Sequence, residues 1–234
     1  MVSGGVTGER EKARYRRRKP IPAIIIVALL AVAVVVVWTK VIAKTSDVNA
    51  LIACAPGSTV GTPTSGAPRP PQPGAPLAYD ALDKIAPEPA TDIKVQVYNA
   101  TAQRGAALQV SSELTQAGFQ VATPANDPLY PNQDMTCRGQ IRFGANGESA
   151  ARTISMLVPC TQLVRDNRQD NSVDLAIGKT FTGVAPNSQA QQALKQLSAW
   201  AASHPAPQGG QQALNSVLPQ LSPDLLSQAH SNQC

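Results

Sequence analysis

The chain has 234 residues, a formal net charge of +5 and a pI near 9.2, enough length for one ordinary domain with extensions or two small ones. The positive charge is concentrated at one end: residues 1–43 carry eight Lys/Arg against two Glu, while residues 44–234 carry twelve against thirteen acids. The bulk of the chain therefore has no basic surplus for phosphate backbones, and nucleic acid is excluded as its ligand.

The basic stretch EREKARYRRRKP runs directly into IPAIIIVALLAVAVVVVW, and between 21 and 43 the single charge is Lys40. That run is long enough to cross about 30 Å of hydrocarbon as a helix. Pro22 falls in the first turn, and Trp38 suits the far interface. The excess of Lys/Arg before the run places residues 1–19 in the cytoplasm, 20–43 across the membrane as an uncleaved anchor, and the bulk of the chain outside. The competing reading, a cleaved signal peptide, lacks a small-x-small site directly after the apolar run.

Residues 44–91 are rich in Pro, Gly and Thr, with seven prolines between 56 and 76. This composition predicts an extended linker standing the next domain away from the membrane. Within it, Leu51-Ile52-Ala53-Cys54 looks locally like a lipidation box. Lys44, Asp47 and Asn49 separate it from the apolar run, however, so Cys54 is expected in a disulfide.

Residues 92–184 carry the strongest globular patterning. IKVQVY alternates Ile93, Val95 and Val97 as a strand, and the following helix places Ala107, Val110, Leu114 and Ala117 on one face, with Gly118 at its end. FQVATP and QIRFG (Ile141, Phe143) read as two more strands. NGESAARTISMLVP predicts a helix capped near Asn146 that buries Ala150, Ile154, Leu157 and Val158, and SVDLAIG closes the set as a strand. The expected fold is α+β, a βαββαβ split arrangement with two helices on one face of an antiparallel four-stranded sheet. Residues 185–234 form a helical tail: one helix with a Ser188/Gln191 capping box, a short segment QQALNSVLPQL, and a last helix with Ser222 as N-cap and Pro223 at its first position. This tail packs either on the domain or on a partner.

The stretch VQVYNATAQRGAALQVSSELTQAGFQV, with Asn99 ending a strand, Gly105-Ala106 opening a helix and AGF leading onward, resembles the LytR C-terminal domain family. QIRFG and VDLAIG fit the same order, so the resemblance covers roughly 92–182. The layout of anchor, Pro-rich linker, lone domain and four cysteines resembles that of actinobacterial envelope-integrity proteins. The resemblance implies a role in keeping the cell envelope intact and implies no reaction. Such domains also accompany wall-polymer ligases of the LytR-CpsA-Psr type, whose larger catalytic domain has no room in this chain.

Cys54, Cys137, Cys160 and Cys234 form an even set in an oxidising compartment. Cys137 precedes the third strand and Cys160 follows the second helix. A strand with an antiparallel helix returns the chain to its starting end, so the expected pairs are Cys137–Cys160 and, by parity, Cys54–Cys234.

Enzymatic signatures are missing. IGKT lacks the upstream glycine of a phosphate loop, because Val173 stands there, and no nucleotide is expected. The two histidines, His204 and His230, lie in the tail, so no Ser/His/Asp set or His-based metal site is placed in the domain. The expected function is non-enzymatic, without cofactor or metal: binding of wall polymer or, alternatively, docking of an envelope protein such as a wall ligase. Asn99, Arg104, Arg138 and Arg142 are the candidate ligand-binding residues, with Arg165 and Arg168 in a later loop. Asn99 is also read as the start of a glycosylation sequon or as a turn cap. The arginines suit anionic wall groups.

Overall fold

The computed structural model describes residues 21–57, 74–204, 218–230 and Cys234; of its first helix, it describes the side chains of 25–38 and 47–52. The expected basic tail at 1–19, most of the Pro-rich stretch and most of the QQALNSVLPQL segment lie outside the described residues. The chain divides into two compact units, Met1–Ala43 and Lys44–Cys234. Helix α1 spans Ile21–Ile52, and its described apolar side chains between 25 and 38 are exposed. The expected membrane span at 20–43 falls partly outside the described residues. Among those described, no helix is long and apolar enough to cross a membrane.

The second unit is built on one mixed sheet. Its strands are β1 (Ala75–Pro76), β2 (Lys94–Asn99), β3 (Gln120–Val121), β4 (Ala125–Asn126), β5 (Gly139–Phe143), β6 (Gln162–Arg165) and β7 (Val173–Ile177). They run in the order β1-β6-β5-β7-β2-β3, with β4 beside the far end of β2. Helix α2 (Ala106–Gln116) connects the parallel pair β2 and β3, and α3 (Glu148–Leu157) connects the parallel pair β5 and β6. Strand β7 lies between these units, antiparallel to β5 and parallel to β2. Parallel neighbours need a crossover, and each helix supplies one.

This corrects the expected antiparallel split sheet. β6 was not legible because Gln162-Leu163-Val164-Arg165 shows no alternation: Leu163 and Val164 point to opposite faces and both are buried. Without β6, the chain reads as one strand short and the crossover after α3 is lost.

Alternation assigns the faces. Val95, Val97, Ile141, Phe143, Leu163, Val173, Leu175 and Ile177 point to the helices and form one core with Ala107, Val110 and Leu114 of α2 and Ala150, Ile154 and Leu157 of α3. Ala117, expected on the buried face of α2, is exposed, because Gly118 at φ 93° ends the helix there. The opposite face carries Tyr98, Gln140, Arg142 and Ala176, paired across the strands. The segment between β4 and β5 covers it with Tyr130 and Met135. Both faces of β5 are therefore buried. Arg142 is satisfied within that layer by two hydrogen bonds to Asp127, of 3.0 and 2.7 Å, and a 2.9 Å bond from its Nε to Gln140.

The tail packs on the domain. Helices α4 (Ser188–Ser203) and α5 (Pro223–His230) bury Ala190, Ala193, Leu197, Leu221 and Ala229 against Met156, which closes the outer side of α3. Asn187, one residue before the expected capping serine, caps α4 by accepting the Ala190 N–H at 2.7 Å. Ser222 and Pro223 start α5 as expected, and the Ser222 hydroxyl accepts the Leu225 N–H at 3.3 Å.

The flanks of the Pro-rich stretch are also structural. Ile52, Leu82 and Pro87 are buried, β1 pairs with β6, and Tyr130 Oη donates to the Ala55 carbonyl at 2.7 Å. The Tyr79 N–H donates to Asn49 Oδ1 at 2.8 Å, joining residues on either side of the stretch. Instead of an extended spacer over 44–91, the chain docks on the domain both before and after residues 58–73.

The disulfides are Cys54–Cys137 and Cys160–Cys234, with Cα separations of 5.0 and 5.4 Å. All four cysteines are paired, but both expected pairings are overturned. Cys137 packs with Cys54, Tyr130, Met135 and Ala176 on the face opposite the helices. Cys160 follows α3, on the helix-covered side, where the tail returns Cys234. The local strand–helix argument omitted both terminal segments, which bring each cysteine its partner.

Two outcomes follow from this arrangement. Each bridge closes a loop of more than seventy residues, with sequence separations of 83 and 74. Replacing Cys160 and Cys234 by Ser together should lower the unfolding free energy by about 2–4 kcal/mol, read from denaturant midpoints. Asp127→Ala leaves Arg142 buried without its acid and should cost about 3–5 kcal/mol, whereas replacing both residues with apolar groups of similar volume should recover most of that loss.

Candidate functional site

Residue 152 is an arginine in a helix that is buried on every side. Positions 150–157 of α3 are all buried, and the Arg152 side chain has 0% exposure. A guanidinium there needs partners, because desolvating an unpaired charge is expensive. Two come from distant parts of the chain. Arg152 Nη1 donates to Asp83 Oδ1 at 2.9 Å, and Nη2 donates to the Leu226 carbonyl of α5 at 3.3 Å. Asp83 lies in the turns after β1, which are closed by backbone bonds such as Ala81 N to Ala78 O and Asp83 N to Asp80 O, both 3.0 Å.

The same carboxylate oxygen meets Nδ1 of His230, the last residue of α5, at 2.7 Å. Tyr79 stacks on the His230 ring, with centroids 4.2 Å apart and planes 17° from parallel, and its hydroxyl donates to the His230 carbonyl at 3.0 Å. One acid thus joins three segments: the turn before the domain, helix α3 and the C-terminal helix.

The electrostatics follow from this crowding. Burial pushes the Asp83 carboxyl up, but hydrogen bonds and charge from His230 and Arg152 outweigh it and hold the group below its ordinary value. Burial, with a smaller contribution from the Asp83 charge, pushes the Tyr79 phenol up to about 12. Burial lowers Arg152 below the usual arginine value despite Asp83. Glu88, where the chain passes α3, rises to about 7 through burial and the nearby Asp92.

A cleft of about 400 Å³ opens beside this junction. Asp83, Lys84, Pro87 and Arg152 line one side, and the tail residues Leu221 and Leu226 line the other. Among the described residues, Asp83 is its sole acidic lining residue. Arg152 Nε is buried without a hydrogen-bond partner. Among the described residues, no group of three or more His, Cys, Asp or Glu is placed to hold a metal ion.

The candidate residues read from the sequence do not meet here, nor in one other place. Asn99 is 7% exposed and closes the loop into α2: its Oδ1 accepts the Thr101 N–H at 2.9 Å and its Nδ2 donates to the Gln103 carbonyl at 3.0 Å. That is the turn-cap reading. Arg104 is exposed on the turn before α2. Arg138 donates to Thr182 Oγ1 at 2.9 Å and lies 5.5 Å over the Phe181 ring, so it fastens the segment after β7. Arg142 is committed to Asp127 and faces into the chain. Arg165 pairs with Glu148, and Arg168 is clamped between Asp166 and Asp174.

Tyr79, Asp83, Arg152 and His230 were missed. The available signal was Arg152 itself, flanked by Ala150, Ala151 and Ile154 in a helix read as having one buried face. His230 carries no signal of its own, because sequence places it in the tail, far from any acid of the domain.

Residues 92–181 match the family described as LytR cell envelope-related transcriptional attenuator. The cell envelope integrity protein Cei of Mycobacterium tuberculosis is 33% identical over 234 residues, covering 100% of this chain and 99% of that protein. The crystal structure of the soluble domain of a conserved hypothetical secreted protein from Mycobacterium marinum is similar with a TM-score of 0.56 at 32% identity, over 69% of this chain and 98% of that one. Identity along the full length, together with a matching domain over the sheet and its two crossover helices, shows that the chain belongs to the family of the cell envelope integrity protein Cei and carries a LytR C-terminal domain.

Proposed function

We propose that this is a membrane-anchored extracytoplasmic protein that supports envelope integrity by binding wall polymer, without performing a reaction. The observation that carries the reading is the full-length likeness to the envelope integrity protein Cei, which includes the N-terminal apolar segment as well as the domain. Two disulfides support an oxidising compartment outside the cytoplasm. The basic residues before 21 and the apolar run to 43 support an anchor with the N-terminus inside.

The anchor constrains where the domain works. Eleven residues, 44–54, join the apolar run to Cys54, which is bonded to the domain. Residues 44–52 of that connection are helical, not an extended tether, and on this reading the ligand is one present near the membrane.

Purified full-length protein in detergent, mixed with insoluble wall material and centrifuged, should pellet with the wall in a saturable way. Protein that stays in the supernatant at every wall concentration contradicts wall binding. Docking to an envelope protein is then the reading that stands.

A further inference from the structure

We propose that the cleft between the turn at Asp83–Lys84, helix α3 and the tail is a binding site for an oxyanion, a phosphate or carboxylate group carried by an envelope component. The inference rests on the binding reading above and names the chemistry of one subsite.

Among the described lining residues, Arg152 and Lys84 are basic and Asp83 is the one acid. That acid is already shared between the Arg152 guanidinium at 2.9 Å and the His230 ring at 2.7 Å. Half-exposed and engaged twice, Asp83 cannot alone offset the burial of Arg152, whose cationic form remains disfavoured by desolvation. Arg152 Nε also has no hydrogen-bond partner although it is buried, a feature it shares with Arg138 and Arg165 but which only here lies in a residue lining a cleft with Lys84. A planar guanidinium with an unused donor recognises the paired oxygens of a carboxylate or phosphate. Lys84 is exposed at the same cleft and adds a mobile ammonium.

The walls suit a ligand whose anionic group continues into an apolar or sugar body. Pro87, Leu221 and Leu226 line the cleft beside the charged residues, and its volume of about 400 Å³ lies within the range of small-ligand pockets. Because the tail forms one wall, an occupied cleft also ties α5 to α3 more firmly.

The test is thermal unfolding of the full-length protein in detergent, titrated with sodium phosphate at constant ionic strength maintained with sodium chloride. The melting temperature should rise with phosphate and saturate. Lys84→Gln, an exposed position that leaves the fold intact, should weaken the apparent affinity about tenfold. Repeating the titration with sn-glycerol 3-phosphate and with acetate separates a phosphate ester from a carboxylate as the source, and saturation by either supports the site. A rise no larger than in chloride alone, or an affinity unchanged by Lys84→Gln, overturns it. The outcome is independent of pelleting: wall binding that survives Lys84→Gln without any phosphate effect removes only this subsite, whereas phosphate binding without pelleting removes only the wall-binding reading.

Discussion

The arrangement depends on burying one guanidinium. Arg152 lies in a helix with no solvent-facing side, and it is tolerable there only because Asp83 and the Leu226 carbonyl reach it from outside the family-matched region. Those partners fix the turn before β2 on one flank and α5 on the other. Asp83 then binds His230, and Tyr79 stacks over that ring, so the start and the end of the folded unit meet at one carboxylate. The matched domain at 92–181 contains strands β2–β7 and their crossovers but omits the groups that neutralise its own buried cation.

The disulfides extend this logic to both layers. Cys54–Cys137 fastens the segment after α1 to the layer covering the polar face of the sheet, where Arg142 and Asp127 pair. Cys160–Cys234 fastens the tail beyond α5 to the chain leaving α3. A core of this size is small, and both bridges hold terminal segments that would otherwise have to stay docked through a few apolar contacts.

The sequence revealed what local periodicity encodes. Strands β2, β5 and β7 and helices α2 and α3 follow from alternation and helical spacing, and Pro223 marks the start of α5. The hidden features depended on long-range partners. Strand β6 shows no alternation, because the sheet is covered on both faces where Leu163 and Val164 lie. The cysteine pairing was inferred from one strand and one helix, while the structure decides it by where residues 44–57 and the tail dock. Arg142 reads as a ligand-binding candidate, and Arg152 carries no reading, because sequence does not show Asp127 or Asp83 waiting behind them. Of the candidate ligand-binding residues, Asn99 and Arg142 serve the fold, Arg138 fastens a loop, and Arg104 stands exposed. The charged cleft instead forms from Asp83, Lys84 and Arg152.

The C-terminal tail is an integral layer of the domain, held by Asp83, Arg152 and the apolar contacts of α4 and α5. An isolated helix of eight residues, the length of α5, is marginal in water, so its protection must come from docking. Native-state hydrogen exchange of the oxidised full-length protein, followed by mass spectrometry, tests this directly. The amide of Leu226, bonded to the Ser222 carbonyl at 3.1 Å, and its α5 neighbours should exchange as slowly as those of α3. Exchange of α5 within seconds while α3 stays protected would contradict the account.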